Sequence, residues 1–180
     1  MRKILRNRLA LSTVITTLII LVVSVLLAGV VTYFAINVVS TRVQQESLTL
    51  SFPHIWVDAS GHTQAAILIT NTGGRDVILN AIQIRGISGT YGTNVYIDFV
   101  STAPSDLSAL GSMGSPLSVT TSQPITLASG KMVEVYISNP SGVTINDIGT
   151  TIGITVFTAQ AMYYTETNVQ ATSTSLPAPA

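Results

Sequence analysis

The chain has 180 residues, eight basic and eight acidic, so it is neutral overall and offers no basic surface for nucleic acid. It has no cysteine, which excludes both disulfides and thiolate metal sites. Only 9% of its residues are charged, and 43 serines and threonines take over the solvating role, which suits a chain that packs into assemblies or one displayed where charge is troublesome, in acid or at high temperature.

Residues 1–8 form a short basic leader containing Arg2, Lys3, Arg6 and Arg8. From Leu9 to Thr41 follow 33 residues without a charge. A bilayer core needs about 20 helical residues, and 33 make a rod of roughly 50 Å. A cleaved secretory signal has a shorter apolar stretch ending in a small-residue site, and an ordinary anchor has no use for the excess. The run therefore predicts a helix over residues 9–47 that serves first as a membrane segment and later as a protein-packed one. The crowded basic end stays cytoplasmic, which places residues beyond about 45 outside the cell. Small and hydroxylated residues scattered through the run, among them Ser12, Thr16, Ser24, Ala28, Gly29 and Thr32, allow helices to approach closely in an apolar setting.

After the helix the apolar period changes from that of a helix to that of a strand. Leu48, Leu50 and Phe52 alternate with Thr49 and Ser51, and Pro53 is expected to interrupt that strand. A short hinge is expected over 44–47. The segments 65–70 and 77–85, split by Asn71-Thr72-Gly73-Gly74, read as a hairpin or a sandwich corner. Further strands are expected over 94–100, 119–121, 124–127, 132–138 and 150–164, with a long loop over 103–116. The expected class is α+β: a long hydrophobic N-terminal α-helix followed by an all-β, immunoglobulin-like antiparallel sandwich over 48–170. Residues 171–180, almost all Ser, Thr, Pro and Ala, read as a flexible tail.

Little in the chain suggests catalysis. His54 and His62 flank Trp56 and Asp58, and two histidines with a carboxylate can bind a metal. They lie eight residues apart across the Gly61 turn, so surface or edge positions fit them better than a ligand role. The acidic residues are widely spaced, with no pair where a strand or turn would obviously bring it together for acid–base work, and nucleophile-elbow, phosphate-loop and zinc-protease motifs are missing. Asp76 is expected either to pair with Arg75 or Arg85 or to be a solvated loop charge worth little. Neither enzymatic activity nor a cofactor is expected.

The stretch Arg8-Leu9-Ala10-Leu11-Ser12-Thr13-Val14-Ile15-Thr16-Thr17-Leu18-Ile19 resembles the N-terminal motif of archaeal type IV pilins, with Thr13 and Thr16 where that family usually has Pro and Ala. The segment 67–79, built around Asn71-Thr72-Gly73, is similar to an Asn-x-Gly hairpin of their β domains. The resemblance implies cleavage of the leader between Arg8 and Leu9 by a prepilin peptidase. A cytoplasmic assembly ATPase and a membrane platform protein would then draw the subunit from the bilayer into a homo-oligomeric helical filament. Leu11, Val14, Ile15, Leu18, Leu21, Val22, Val25, Gly29 and Phe34 are the expected core of the assembly helix, with the β domains outside. Thr13 stands at the fifth mature position, where bacterial relatives carry a glutamate. The implied function is that of a structural subunit of an extracellular adhesion pilus with a membrane-inserted precursor. The alternatives are an archaellum (motility) subunit and a single-span anchored protein whose sandwich binds a surface layer or a ligand.

Overall fold

A computed structural model describes residues 2–43, 45–111, 118–119 and 125–178. The chain divides into two compact units, residues 1–43 and 44–180. The first is one α-helix, α1 (Arg2–Val43), of 42 residues. It contains no proline and a single glycine, and in an apolar medium its many valines and isoleucines have no alternative to helical pairing. The helix begins within the leader and ends before the expected 47, because residues 45–47 belong to the β domain.

That domain contains β1 (Leu48–Val57), β2 (Thr63–Asn71), β3 (Val77–Ile84), β4 (Ile87–Ser88), β5 (Val95–Val100), β6 (Ser118–Val119), β7 (Ile125–Leu127), β8 (Met132–Ser138), β9 (Thr151–Thr158) and β10 (Met162–Ala171). A 3₁₀ turn at Ile145–Asp147 precedes β9. The class is α+β, as the composition of elements predicts. The strands run β4-β3-β9-β10-β1-β2-β8-β5-β6, with β7 against β3. They form one curled sheet with two wings instead of the two separate sheets of the expected sandwich. The wings meet where β1 and β10 pair in parallel, from Ile55↔Val169 to Val57↔Ala171. Between them lies a core including Ile67, Ile69, Val133 and Val135 from one wing and Leu79, Ile82, Ile154 and Val156 from the other.

Pro53 does not end β1. The strand passes through it on a bulge, its register shifting between Ser51 and His54 while Phe52 takes a φ of 50°. A bulge tolerates proline because the ladder is already offset there and the missing N–H leaves no gap. The single strand expected over 150–164 is a hairpin of β9 and β10, turned by Thr158, whose hydroxyl bonds both the carbonyl and the amide of Ala161.

The first wing is buried on both faces, which explains why seven of the nine residues of β2 are buried in succession. Its outer face carries a second cluster of Trp56, Ala66, Leu68 and Tyr136, covered by Leu107 and Leu176. Part of the expected 103–116 loop thus works as a lid. Gln64, wholly buried, fastens it by donating to the Leu110 carbonyl at 3.1 Å and accepting from its amide at 2.8 Å. The segment expected as a loose tail is pinned. Leu176 is 3% exposed and its amide donates to Asp58, while Asn139 donates to the Pro177 carbonyl at 2.7 Å. Burial of that one leucine gives the segment a place. Residues 112–117, 120–124 and 179–180, within the expected loop, strands and tail, lie outside the described residues.

Candidate assembly surface

The helix is the part of this molecule with unmet physical needs. Leu11–Thr41 is long and apolar enough to cross a membrane, and none of it is buried. Leu11, Val14, Ile15, Leu18, Leu21, Val22, Val25 and Phe34 are all exposed, from 46% at Val22 to 69% at Phe34, and Gly29 has nothing within 4 Å of where a side chain would begin. All the expected assembly residues are thus available, but they occupy no single face, since Ile19, Ile20, Val23, Leu26 and Leu27 are equally open. A helix apolar all round is stable only inside lipid or among other apolar surfaces. At about 1.5–3 kcal/mol for each large side chain, leaving it in water costs tens of kcal/mol. Arg8 and Leu9 lie in helical backbone, and their side chains are outside those described.

The hydroxyl groups do not break this apolar surface. Thr16 donates to the Ser12 carbonyl, Ser24 to Ile20 and Thr32 to Ala28, each four residues back and at 2.7–2.8 Å. Thr17 donates to Val14, and Ser40 and Thr41 to Asn37. Each of these six hydroxyls is satisfied within its own helix, so it adds little desolvation cost in lipid or in a dry bundle. The expectation that these groups lie at close approaches is left with their small size as its basis.

The β domain holds ionisable groups in separate structural roles. His54 Nε2 lies 2.8 Å from Asp106 Oδ1 and its ring stacks on Trp56, while His62 Nδ1 lies 3.2 Å from Asp58 Oδ2. The two histidines thus serve different carboxylates, and no cluster of three or more His, Cys, Asp or Glu groups placed to hold a metal occurs among the described residues. Burial alone would raise the Asp58 pKa. The amides of Leu176, His62 and Ser60 and the His62 ring outweigh that and hold it below the ordinary value. Asp106 is lowered chiefly by its bond to His54.

Arg85 pairs with Asp147 at 2.7 Å and also donates to the Gly142 carbonyl. The expected Asp76 pairing is replaced by a bond from the Ser129 amide to Asp76, because β3 carries Arg85 to the far end of the strand. Asp98 and Glu134 sit directly opposite on β5 and β8, and burial, then Asp98, raises the Glu134 pKa. Burial, then Glu134, raises the Tyr136 phenol to about 12. Thr93, Asn94, Tyr96, Ser138, Asn139 and Pro177 line a cavity of about 170 Å³, bringing hydroxyls, amides and a phenol to its wall.

No family model matches this chain, and no curated protein matches it. Among solved structures, a β-glucosidase from Listeria innocua in complex with glucose is 12% identical, with a TM-score of 0.26. That similarity covers 70% of this chain and 16% of the enzyme, so the chain spans about one sixth of that protein's length. An overlay this loose transfers neither fold nor activity. The helix and the sheet together define an α+β chain with one membrane-length N-terminal helix and a β-rich domain.

Proposed function

We propose that this chain is a structural subunit of an extracellular, archaeal type IV-like adhesion pilus, made as a membrane-inserted precursor. The observation that carries the reading is the contrast between a β domain with its own core and a helix that is apolar all round and longer than a bilayer. Sibling helices offer the same apolar surroundings as lipid, so burial energy nearly cancels on transfer from one to the other. Packing and an assembly ATPase, acting with a membrane platform protein, then decide where the helix ends up. Removal of residues 1–8 by a prepilin peptidase strips four of the five basic residues preceding Glu46 and frees the helix to leave the cytoplasmic face.

The test is mechanical shearing of cells without detergent, followed by mass spectrometry of the released material. The pilus reading expects this chain in the sheared fraction with its N-terminus at Leu9. Recovery of the chain in detergent extracts alone, with the leader intact, would instead identify a permanently anchored single-span protein. Loss of swimming in a deletion strain that still adheres would assign the filament to motility.

A further inference from the structure

The Asn71-Thr72-Gly73 turn has a role that its sequence as a turn does not explain. Residues 45–47, directly after the helix, lie in it. The Ser47 carbonyl accepts from the amides of both Thr72 and Gly73 at 3.0 Å, and the Ser47 and Thr72 hydroxyls pair at 3.0 Å. These bonds extend the β1–β2 ladder one step beyond its last pair, Leu48↔Asn71.

Gly73 has no left-handed φ, so conformation is not what demands glycine there. Space is: a Cβ would stand 2.7 Å from the Ser47 nitrogen and 2.8 Å from the Gln45 carbonyl oxygen. The turn is braced from behind. The fully buried Asn71 side chain donates to the Arg75 and Leu127 carbonyls at 2.8 and 2.9 Å and accepts from the Gly73 amide, while Ser129 donates to the Gly73 carbonyl at 2.7 Å. On the other side of the linker, Glu46 lies close enough to the Tyr163 phenol to help raise its pKa, after burial.

We infer that the Asn71–Gly73 turn is a socket that clamps residues 45–47 into the β domain and so fixes where load from the assembly helix enters it. Gly73 supplies the room, Thr72 the hydroxyl clasp and Asn71 the brace, so residues 45–47 of the expected 44–47 hinge are held in the β domain. The socket's value for assembly rests on the filament reading, but its geometry does not.

The two are separated by a nitroxide attached at Gln45→Cys in the full chain, in detergent, which is selective because the chain has no other cysteine. The expected spectrum is immobilised, like that of a label at Thr49→Cys on β1. Gly73→Ala is expected to raise label mobility severalfold with the β domain still melting cooperatively, and filaments of that variant are expected to lose uniform helical order. Should Gly73→Ala fail to fold, Thr72→Val removes the hydroxyl clasp without adding bulk, and a smaller rise in mobility is expected. A label at Gln45 that is as mobile as a free tether in the unmodified background would overturn the inference. So would a Gly73→Ala variant that changes neither mobility nor filament order. An immobile label on a chain that never forms filaments would leave the socket standing and remove the pilus reading.

Discussion

Among the described residues of the helix, nineteen large apolar side chains are exposed and none is buried, whereas in the β domain most of the same residue types are buried in two clusters and only a few, among them Phe99, Met162 and Tyr164, are exposed. The charges divide as well: the five basic residues before Glu46 have no acidic counterpart, while the β domain has three basic and eight acidic residues. The comparison separates two kinds of stability. The β domain closes its own core. The helix leaves its apolar side chains exposed, and on the proposed reading lipid or other copies cover them.

Substitutions should therefore act on one unit and spare the other. The largest effect is expected in the β domain, at Ile69, which is fully buried. Ile69→Ala leaves a cavity between the wings and should cost about 4 kcal/mol. Denaturant unfolding of the full chain in detergent should show the β signal lost early and the helical signal kept. Next comes Leu18→Asp, which places a charge in the middle of the apolar run at about 3 kcal/mol for insertion. That is small beside the tens of kcal/mol the apolar run gains in lipid, so the helix should still insert, while sheared filaments should be lost and the β domain should melt as before.

Asp58→Asn should come third, at about 2 kcal/mol, because the charged acceptor of the Leu176, His62 and Ser60 amides is lost. Its folded pKa is depressed, so its stabilisation is complete above the ordinary aspartate range and drains away as pH falls through the depressed value. The gap between wild type and variant should therefore close in strong acid. The readout is the fluorescence of Trp56, the single tryptophan, from under the loosened cover.

The smallest effect has the opposite sign. Asp98→Asn removes like-charge repulsion against Glu134 and should stabilise the domain by about 0.5 kcal/mol at neutral pH. The Glu134 pKa is raised, so the folded state takes up its proton more readily and stability rises as pH falls through that value. The benefit of Asp98→Asn should vanish in mild acid, as thermal melting across pH would show.

What the sequence made legible follows from periodicity. An uninterrupted apolar run needs no tertiary context to read as a helix, and alternation at Leu48–Phe52 or Val77–Ile84 needs only a sheet. The features it concealed depend on contacts between distant segments. Pro53 reads as a strand breaker, and only the offset ladder between β1 and β2 makes it harmless. Leu176 is a lone apolar residue with no period to reveal it, although it completes the cluster around Trp56. Asn71-Thr72-Gly73 was legible as a turn, but nothing local shows that its glycine makes way for Gln45 and Ser47. The parallel join of β1 to β10 is equally silent, because alternation sets which face a residue takes and not which strand lies beside it. On the candidate assembly surface, the run could not narrow its residues to a face, since Ile19, Ile20, Val23, Leu26 and Leu27 are as open as the residues it marked.

The measurement that bears most directly on the central claim is a helical reconstruction of detergent-free sheared material containing this chain. The account predicts a core of packed α-helices built from residues 11–41, with the curled β domains arrayed outside and residues 45–47 continuous with β1. A chain found solely as single copies, its helix surrounded by lipid, would contradict it.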